Sequence, residues 1–493
     1  MQNIKEKYDL VVLGAGPAGT PVAIEYAKLN QEKSIALIDV LGELGGECLF
    51  QGCIPSKIME ASAKHIKEIQ NLEAFGVSLE DKHYNLIWEK IKKRKDDILQ
   101  KRTFAAKELA NSVGNIEIIK GFASFETPTT LRVDFENGTS QTIAFEKALI
   151  ATGSKANVVT YDGDAVAEVM TNDKFFHDME LPKSLSIVGS GAIAIEFTQI
   201  LADLGVKINL FVRGEEILKN IDEEASIHLA NKLYNHQNIN LLRNTTVQSI
   251  NYKNDMLEIG YIEKSQQKTL QCEKFLSAIG RVPNIEKLQL QNANVDFNAK
   301  GIKASSALQT TNKNVFANGD VVENFPKFAH TAQYGAHLIA QNLFLEHNYF
   351  KPDFSKNSWV LFSMPNFASA GISQKEATKK GLDVIIDSFE FSTEAKSQIE
   401  NEDFGYLKFV VEKKSLHIVG ISIFHDEANT LGGEAALIVA QKLTLKELID
   451  TIHPHPTISE AFVMLAKKMM GNIMLEKLSN PVVQTLLKIQ RWI

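Results

Sequence analysis

A chain of 493 residues exceeds what one hydrophobic core normally serves, so about three domains are expected. With 23% charged and 44% hydrophobic residues the composition is that of a globular protein, and the formal charge of -7 disfavours an electrostatic nucleic-acid binder. No run is apolar over the eighteen or more residues of a membrane-spanning helix, and MQNIKEKYDLVVLGAG reaches a strand-like run without a secretory h-region, which together predict a cytoplasmic protein.

The first predicted unit is YDLVVLGAGPAGTPVAIEYAKLN (8 to 30): an apolar strand, a turn carrying Gly14, Gly16 and Gly19, and a helix. Such a turn aims backbone N–H groups and the helix dipole at a pyrophosphate, and the missing side chains let it approach. The next strand, SIALID, ends at Asp39, about 20 residues past Gly19, where a carboxylate can bond ribose hydroxyls. That suits an adenosine with a free 2′-OH, as in FAD.

GGECLFQGCIPSK (45 to 57) follows, with Cys48 and Cys53, two of the chain's three cysteines. Three cysteines are too few for a disulfide scaffold, so two placed close together point to chemistry. Zinc is disfavoured, because there is no second cysteine pair and His65 falls on a solvated helix face. A straight helix would hold residues i and i+5 about 8 to 9 Å apart and an extended strand about 17 Å, whereas a disulfide needs less than roughly 7 Å between Cα atoms. The segment must therefore bend, and Gly45, Gly46 and Gly52 give it the freedom. Pro55 reads as a first-turn helix residue, which puts Cys53 at a helix N-terminus, where the dipole and nearby Lys57 favour its thiolate.

The charged, amphipathic NLIWEKIKKRKDDILQKRTFAAKELAN is read as scaffold. SLSIVGSGAIAIEFTQILADLG (184 to 205) repeats the nucleotide-binding design, with Gly189, Gly191 and Ala194. Its following strand, in VKINLFVRGEEILK, brings Val212 and Arg213 to the place that Asp39 takes in the first unit. An arginine there welcomes a 2′-phosphate, so the second site leans towards NADP(H); the plain alternative is a solvated strand-end arginine. Cys272, in LQCEKFLSAIG, is read as a small buried hydrophobe. Beyond about residue 351 the pattern changes to a further α+β domain. Near its end, HPHPTISEAF offers His455 five residues before Glu460: Pro456 predicts a non-helical start, with the imidazole on a loop and the carboxylate on the following helix. Imidazole titrates in the range that thiol interchange needs, and a carboxylate on one ring nitrogen fixes its tautomer. The last 33 residues, 461 to 493, have helical apolar spacing and read as an added helix on the dimer, with a membrane-surface or partner contact as the sharper alternative. Lys467, Lys468, Glu476 and Lys477 exclude a spanning helix.

Seven motifs in order, GAGPAG (14 to 19), GGECLFQGCIPSK (45 to 57), ATGS (151 to 154), GSGAIAIE (189 to 196), AIGRVPN (278 to 284), ANGD (317 to 320) and HPTISE (455 to 460), give the chain a resemblance to the class I pyridine nucleotide-disulfide oxidoreductases over nearly its whole length. This family includes dihydrolipoamide dehydrogenase, glutathione reductase and mercuric reductase. The resemblance implies an α/β fold with two Rossmann-like dinucleotide-binding domains and a C-terminal α+β dimerisation domain. In numbers, that is an FAD-binding domain from 1–153 and 281–350, an NAD(P)-binding domain at 154–280 and an interface domain at 351–493. It implies a homodimer, with FAD in the first unit and Asp320 near its ribityl and phosphate portion, and it adds Gly46, Gly153 and Gly280 to the cofactor-binding residues. It assigns Cys53 as the flavin-proximal thiol and Cys48 as the interchange thiol, pairs Lys57 with Glu196 near the flavin, and gives His455, held by Glu460, to the partner subunit's disulfide. His453 ranks second because the family's catalytic histidine directly precedes Pro-Thr.

Within the family, no cysteine follows Cys272, which disfavours mercury, and Ser56 and Ala192 depart from the glutathione reductase pattern. Ile54, Pro55, Ser56, Lys57 and the HPTISE ending resemble dihydrolipoamide dehydrogenase, although that enzyme typically has a glutamate where Val212 stands. Glu47, Phe50 and Gln51 stand where the family often has Thr, Asn and Val. The expected substrate is a small dithiol or disulfide, a lipoyl-bearing protein among the candidates. The alternatives are NADPH-dependent reduction of another disulfide, and a thiol-independent flavoprotein such as a transhydrogenase or quinone reductase. A docking subunit of a larger complex finds no lipoyl-bearing segment or linker in its support.

Overall fold

The structure, a computed structural model, describes residues 4–79 and 84–479. It divides into two compact units, one within residues 1–215 and 237–354 and the other within 216–236 and 355–493.

The first unit opens with β1 (Lys7–Leu13), α1 (Thr20–Leu29) and β2 (Ile35–Asp39), followed by α2 (Gly46–Phe50), α3 (Cys53–Asn71) and α4 (Trp88–Val113). β1 lies at the centre of a seven-stranded sheet, parallel to β2 on one side and to Ser140–Ile150 on the other. Leu10, Val11, Val12 and Leu37 are fully buried, the near-continuous apolar run of a parallel strand covered on both faces. Each such side chain contributes roughly 1.5–3 kcal/mol on burial. Because the chain leaves β1 towards β2 and returns on the far side, the sheet order reverses at the C-terminal end of β1, where open α/β sheets bind ligands. A second, all-parallel sheet repeats the plan: Ser184–Val188 lies between Lys207–Val212 and Lys274–Ser277, and is followed by the helix Ala192–Asp203.

The second unit is built on a five-stranded antiparallel sheet from Ser358–Leu361 to Ile418–His425, backed by the helices Ala428–Ala440 and Glu460–Ser479. Its core includes Phe391, Phe409, Ile423, Leu445 and Phe462. The predicted terminal helix runs to Ser479, and residues 480–493 lie outside the described residues. Lys468 of that helix reaches Asp387 at 2.8 Å. Among the described residues no helix is long and apolar enough to cross a membrane.

Candidate active site

The turn after β1 is shaped by close approaches. Gly14 has φ +102°, its N–H bonds the Ile38 carbonyl at 2.8 Å, and a Cβ there would lie 2.4 Å from the Ala151 oxygen. Only glycine fits that combination. Asp39, at the end of β2, accepts the Ala15 N–H at 3.0 Å and the Leu41 N–H at 2.8 Å, so its carboxylate is anchored at the mouth of the turn. Gly14, Asp39, Gly121, Thr152 and Asn284 line a cleft at the C-terminal ends of β1 and β2. In the second glycine turn nothing lies within 4 Å of a Cβ placed on Gly191, and Arg213, just past Lys207–Val212, is exposed. Gly153 and Gly280, both at positive φ, likewise have open space where a Cβ would point. Backbone left bare at these turns fits phosphate-bearing ligands.

The bend that the cysteine spacing demands is a break between two helices: α2 carries Cys48 and ends at Phe50, and α3 begins at Cys53. Gly46, at φ +59°, packs so tightly on the first glycine turn that a Cβ would sit 2.6 Å from the Gly16 Cα, which seats the cysteine segment against the nucleotide turn. Both cysteines are free thiols, Cys53 exposed and Cys48 half-buried. Cys48 hydrogen-bonds Cys53, and this bond drives the two apart: Cys53 is pushed below the ordinary thiol value, helped by its own backbone N–H and by Lys57, while burial and Glu196 oppose. Cys48 moves up through the same bond and through burial. Cys53 is therefore the more acidic thiol of the pair and Cys48 the less acidic.

Lys57, one turn along α3, reaches Glu196 on the helix Ala192–Asp203 at 2.8 Å, joining two segments 139 residues apart. Asp320 accepts the Ser154 hydroxyl at 2.7 Å, and Ser154 in turn accepts the Arg281 Nε at 2.8 Å. The buried Asn318 fixes the segment before Asp320 by donating to the carbonyls of Ala18 (3.1 Å) and Ala332 (2.8 Å). His455 lies on the loop ahead of the helix Glu460–Ser479, with its Nδ1 2.9 Å from Glu460 Oε2. The Glu460 carboxyl is held below its usual range, first by the Thr457 N–H and then by His455, against a desolvation effect. His453 faces Glu434 at 2.9 Å with its side chain only 6% exposed, against 71% for His455, so His455 is the more accessible ring. Cys272 is fully buried, and His65 is an exposed partner of Glu68.

A polar bridge that sequence reasoning missed ties the cysteine segment to the rest of the site. Glu47 pairs with the Arg281 guanidinium and accepts the Asn172 side-chain amide at 3.1 Å, and the same amide bonds the Gln51 carbonyl at 2.8 Å. Arg281 also donates to the Ser154 carbonyl at 2.7 Å. The departure from Thr at residue 47 was the visible signal; its partners, 125 and 234 residues away, were not. Losing a buried charge-assisted bond costs about 1–3 kcal/mol. Glu47→Gln is therefore expected to speed amide hydrogen exchange across residues 46–53 by roughly ten- to hundredfold, with the β1 amides as the unchanged internal control; equal rates would show that the bridge bears no load.

The sequence profile of the pyridine nucleotide-disulphide oxidoreductases matches residues 8–336, and that of their dimerisation domain matches 357–466. The chain belongs to this family. Membership brings one FAD site, one nicotinamide site and thiol–disulfide redox chemistry to the chain. Among its relatives in the family, a protein named dihydrolipoyl dehydrogenase from Buchnera aphidicola (subsp. Acyrthosiphon pisum) is 31% identical, over 96% of this chain and 98% of its own. One of the same name from Geobacillus stearothermophilus is 29% identical, over 94% and 96%. The fold matches the crystal structure of LpdA from Mycobacterium tuberculosis with a TM-score of 0.84 at 20% identity, covering 94% of this chain and 99% of that one.

Proposed function

We propose that the chain is an FAD-dependent dithiol oxidoreductase of the dihydrolipoyl dehydrogenase type, a cytoplasmic homodimer that moves two electrons between a dithiol and a nicotinamide cofactor. The observation that carries this reading is the Cys48–Cys53 pair set across the break between α2 and α3, with Cys53 at the α3 N-terminus. The bare glycine turns and the anchored Asp39 fit FAD at the first nucleotide site; Gly14, Gly16, Gly19, Asp39, Gly46, Gly153 and Asp320 would hold it. Gly189, Gly191, Gly280 and Arg213 would hold the nicotinamide cofactor. A flavin bound there would supply a two-electron acceptor for the thiols and a hydride exchange partner for the nicotinamide.

The chain's own residues do the rest. The partner subunit's His455, its Nδ1 held by Glu460, takes the proton of a substrate thiol at Nε2. That thiolate attacks Cys48 of the oxidised Cys48–Cys53 disulfide, forming a mixed disulfide and releasing Cys53 as a thiolate, which the α3 N-terminus and Lys57 receive. The second substrate thiol attacks the substrate sulfur of the mixed disulfide, and its proton passes to the departing Cys48 sulfur while the first stays on His455. The oxidised substrate leaves, with Cys48 as a thiol, Cys53 as a thiolate and one proton on His455. The Lys57–Glu196 pair, joined at 2.8 Å, would position the nicotinamide for hydride exchange.

A lipoyl-bearing protein fits as substrate because its dithiol closes to an intramolecular disulfide in that second attack. Arg213 favours NADPH over NADH. The test is anaerobic two-electron reduction of the purified protein with each cofactor in parallel, then turnover with dihydrolipoamide and with glutathione disulfide. A long-wavelength thiolate-to-flavin band and oxidation of dihydrolipoamide are expected; a wild type without that band sinks the thiol mechanism. NADPH should outrun NADH, and Arg213→Ala should cut kcat/KM for NADPH by about tenfold, the loss of one charged contact worth ~1.4 kcal/mol, while sparing NADH.

A further inference from the structure

Glu60 stands one turn beyond Lys57 on α3, so Cys53, Lys57 and Glu60 occupy positions i, i+4 and i+7 on a single face. The Lys57 Nζ lies 2.8 Å from Glu196 and 3.1 Å from Glu60. An ammonium has three donors, and here at least one goes to each of two carboxylates, so the trio carries a net negative charge beside the thiolate. Neither acid is a loose surface partner: the side chains of Glu196 and Glu60 are 15% and 16% exposed. Burial pushes the Glu60 carboxyl up, and Lys57 offsets part of that push. Keeping a carboxylate so little hydrated costs free energy that an ordinary i,i+3 helix pair does not return, and a leucine there would cover the same helix face.

We propose that Glu60 is a positioning residue that divides the Lys57 charge with Glu196 and so tempers the support Lys57 gives to the Cys53 thiolate. The inference rests on the redox reading of the Cys48–Cys53 pair. Its physical content is a competition. While both carboxylates hold Lys57, the ammonium cannot turn its full field on Cys53, and the thiolate stays a better nucleophile and a poorer leaving group than an unopposed lysine would make it. The charged or titratable groups facing this set are Cys48, Lys57 and Glu196 around Cys53, Lys57, Lys64 and Glu196 around Glu60, and from α4 Arg102 beside Cys48 and Arg94, which donates to the Ile58 carbonyl at 3.3 Å.

The measurement is the rate at which iodoacetamide alkylates Cys53 in the holoenzyme across pH, followed by peptide mass spectrometry in a Cys48→Ser background, with Glu60 intact or replaced. In Glu60→Gln one negative charge goes and Lys57 answers to Glu196 alone. The midpoint of the alkylation profile should then fall by about half to one pH unit, the effect of one charge at helical spacing in a partly screened site. Glu60→Asp should restore part of the shift. Should the glutamine variant fold poorly, Glu60→Leu gives the same charge change with an apolar side chain. A midpoint that stays put, or rises, in a folded variant overturns the proposal. The thiolate-to-flavin band of the wild type is scored separately: its absence would overturn the redox reading, whereas the alkylation midpoint reports on Glu60 whether or not the band is seen.

Discussion

Replacing Cys53 with serine should abolish oxidation of dihydrolipoamide, by about ten-thousandfold or more, while leaving reduction of the flavin by the nicotinamide cofactor nearly intact. A serine oxygen cannot close a disulfide with Cys48, so electrons from a dithiol have no route onward. Hydride transfer at the nicotinamide side does not pass through the Cys53 sulfur, and an artificial acceptor such as ferricyanide should still be reduced. The same substitution removes the long-wavelength band, because the thiolate is its donor. A thiol-independent flavoprotein would behave in the opposite way, keeping its physiological turnover in Cys53→Ser. The pH profile of the intact protein supplies a second check. The Cys48 hydrogen bond, the Cys53 N–H and Lys57 hold Cys53 below the ordinary thiol range, so its alkylation should persist beneath pH ~8.5 and fade only as the pH drops through that lowered value.

The parts of this site that the sequence disclosed are those with local causes. The two glycine turns are legible because a strand, a turn without side chains and a helix follow one another within about 20 residues. The helix start at Cys53 is legible because Pro55 fits only a first turn. The loop placement of His455 ahead of Glu460 follows from the Pro456 between them, and Cys272 announces its burial through its apolar neighbours. Spacing alone gives no reason to join Lys57 to Glu196 across 139 residues; only the resemblance supplies that pairing. Glu47, Arg281, Asn172 and Ser154 form a bridge that sequence does not connect: Glu47 stands out as a departure from Thr, but its partners lie 125 and 234 residues away. Glu60 was hidden differently. On a helix otherwise rich in charge it reads as solvated, and only the packing of α3 on the helix Ala192–Asp203 turns it inward beside Lys57. Tertiary contact, and not local propensity, decides which charged residues of this chain meet.

His455→Gln should slow the dithiol half-reaction by roughly a hundred- to ten-thousandfold, the usual worth of a placed general base, and leave nicotinamide-driven reduction of the flavin unchanged. Glutamine keeps the hydrogen bond to Glu460 but cannot carry the proton, so the loss isolates proton transfer from packing. Glu460→Gln should cost less, because the imidazole remains and only its orientation and charge support weaken. His453→Gln separates the two histidines: its ring is buried against Glu434, so a change in stability without a change in the pH profile of turnover is expected. If His453→Gln instead removes the pH dependence, the assignment of the two rings is reversed. Complementation tests the dimer. Cys53→Ser subunits retain His455, and His455→Gln subunits retain the cysteines, so co-expression should build heterodimers in which one of the two sites is whole. Random pairing makes half of the dimers mixed, and recovery to about a quarter of wild-type turnover follows if the histidine serves the partner's disulfide. A histidine serving its own subunit leaves every site defective, and the mixture would stay as inactive as either parent.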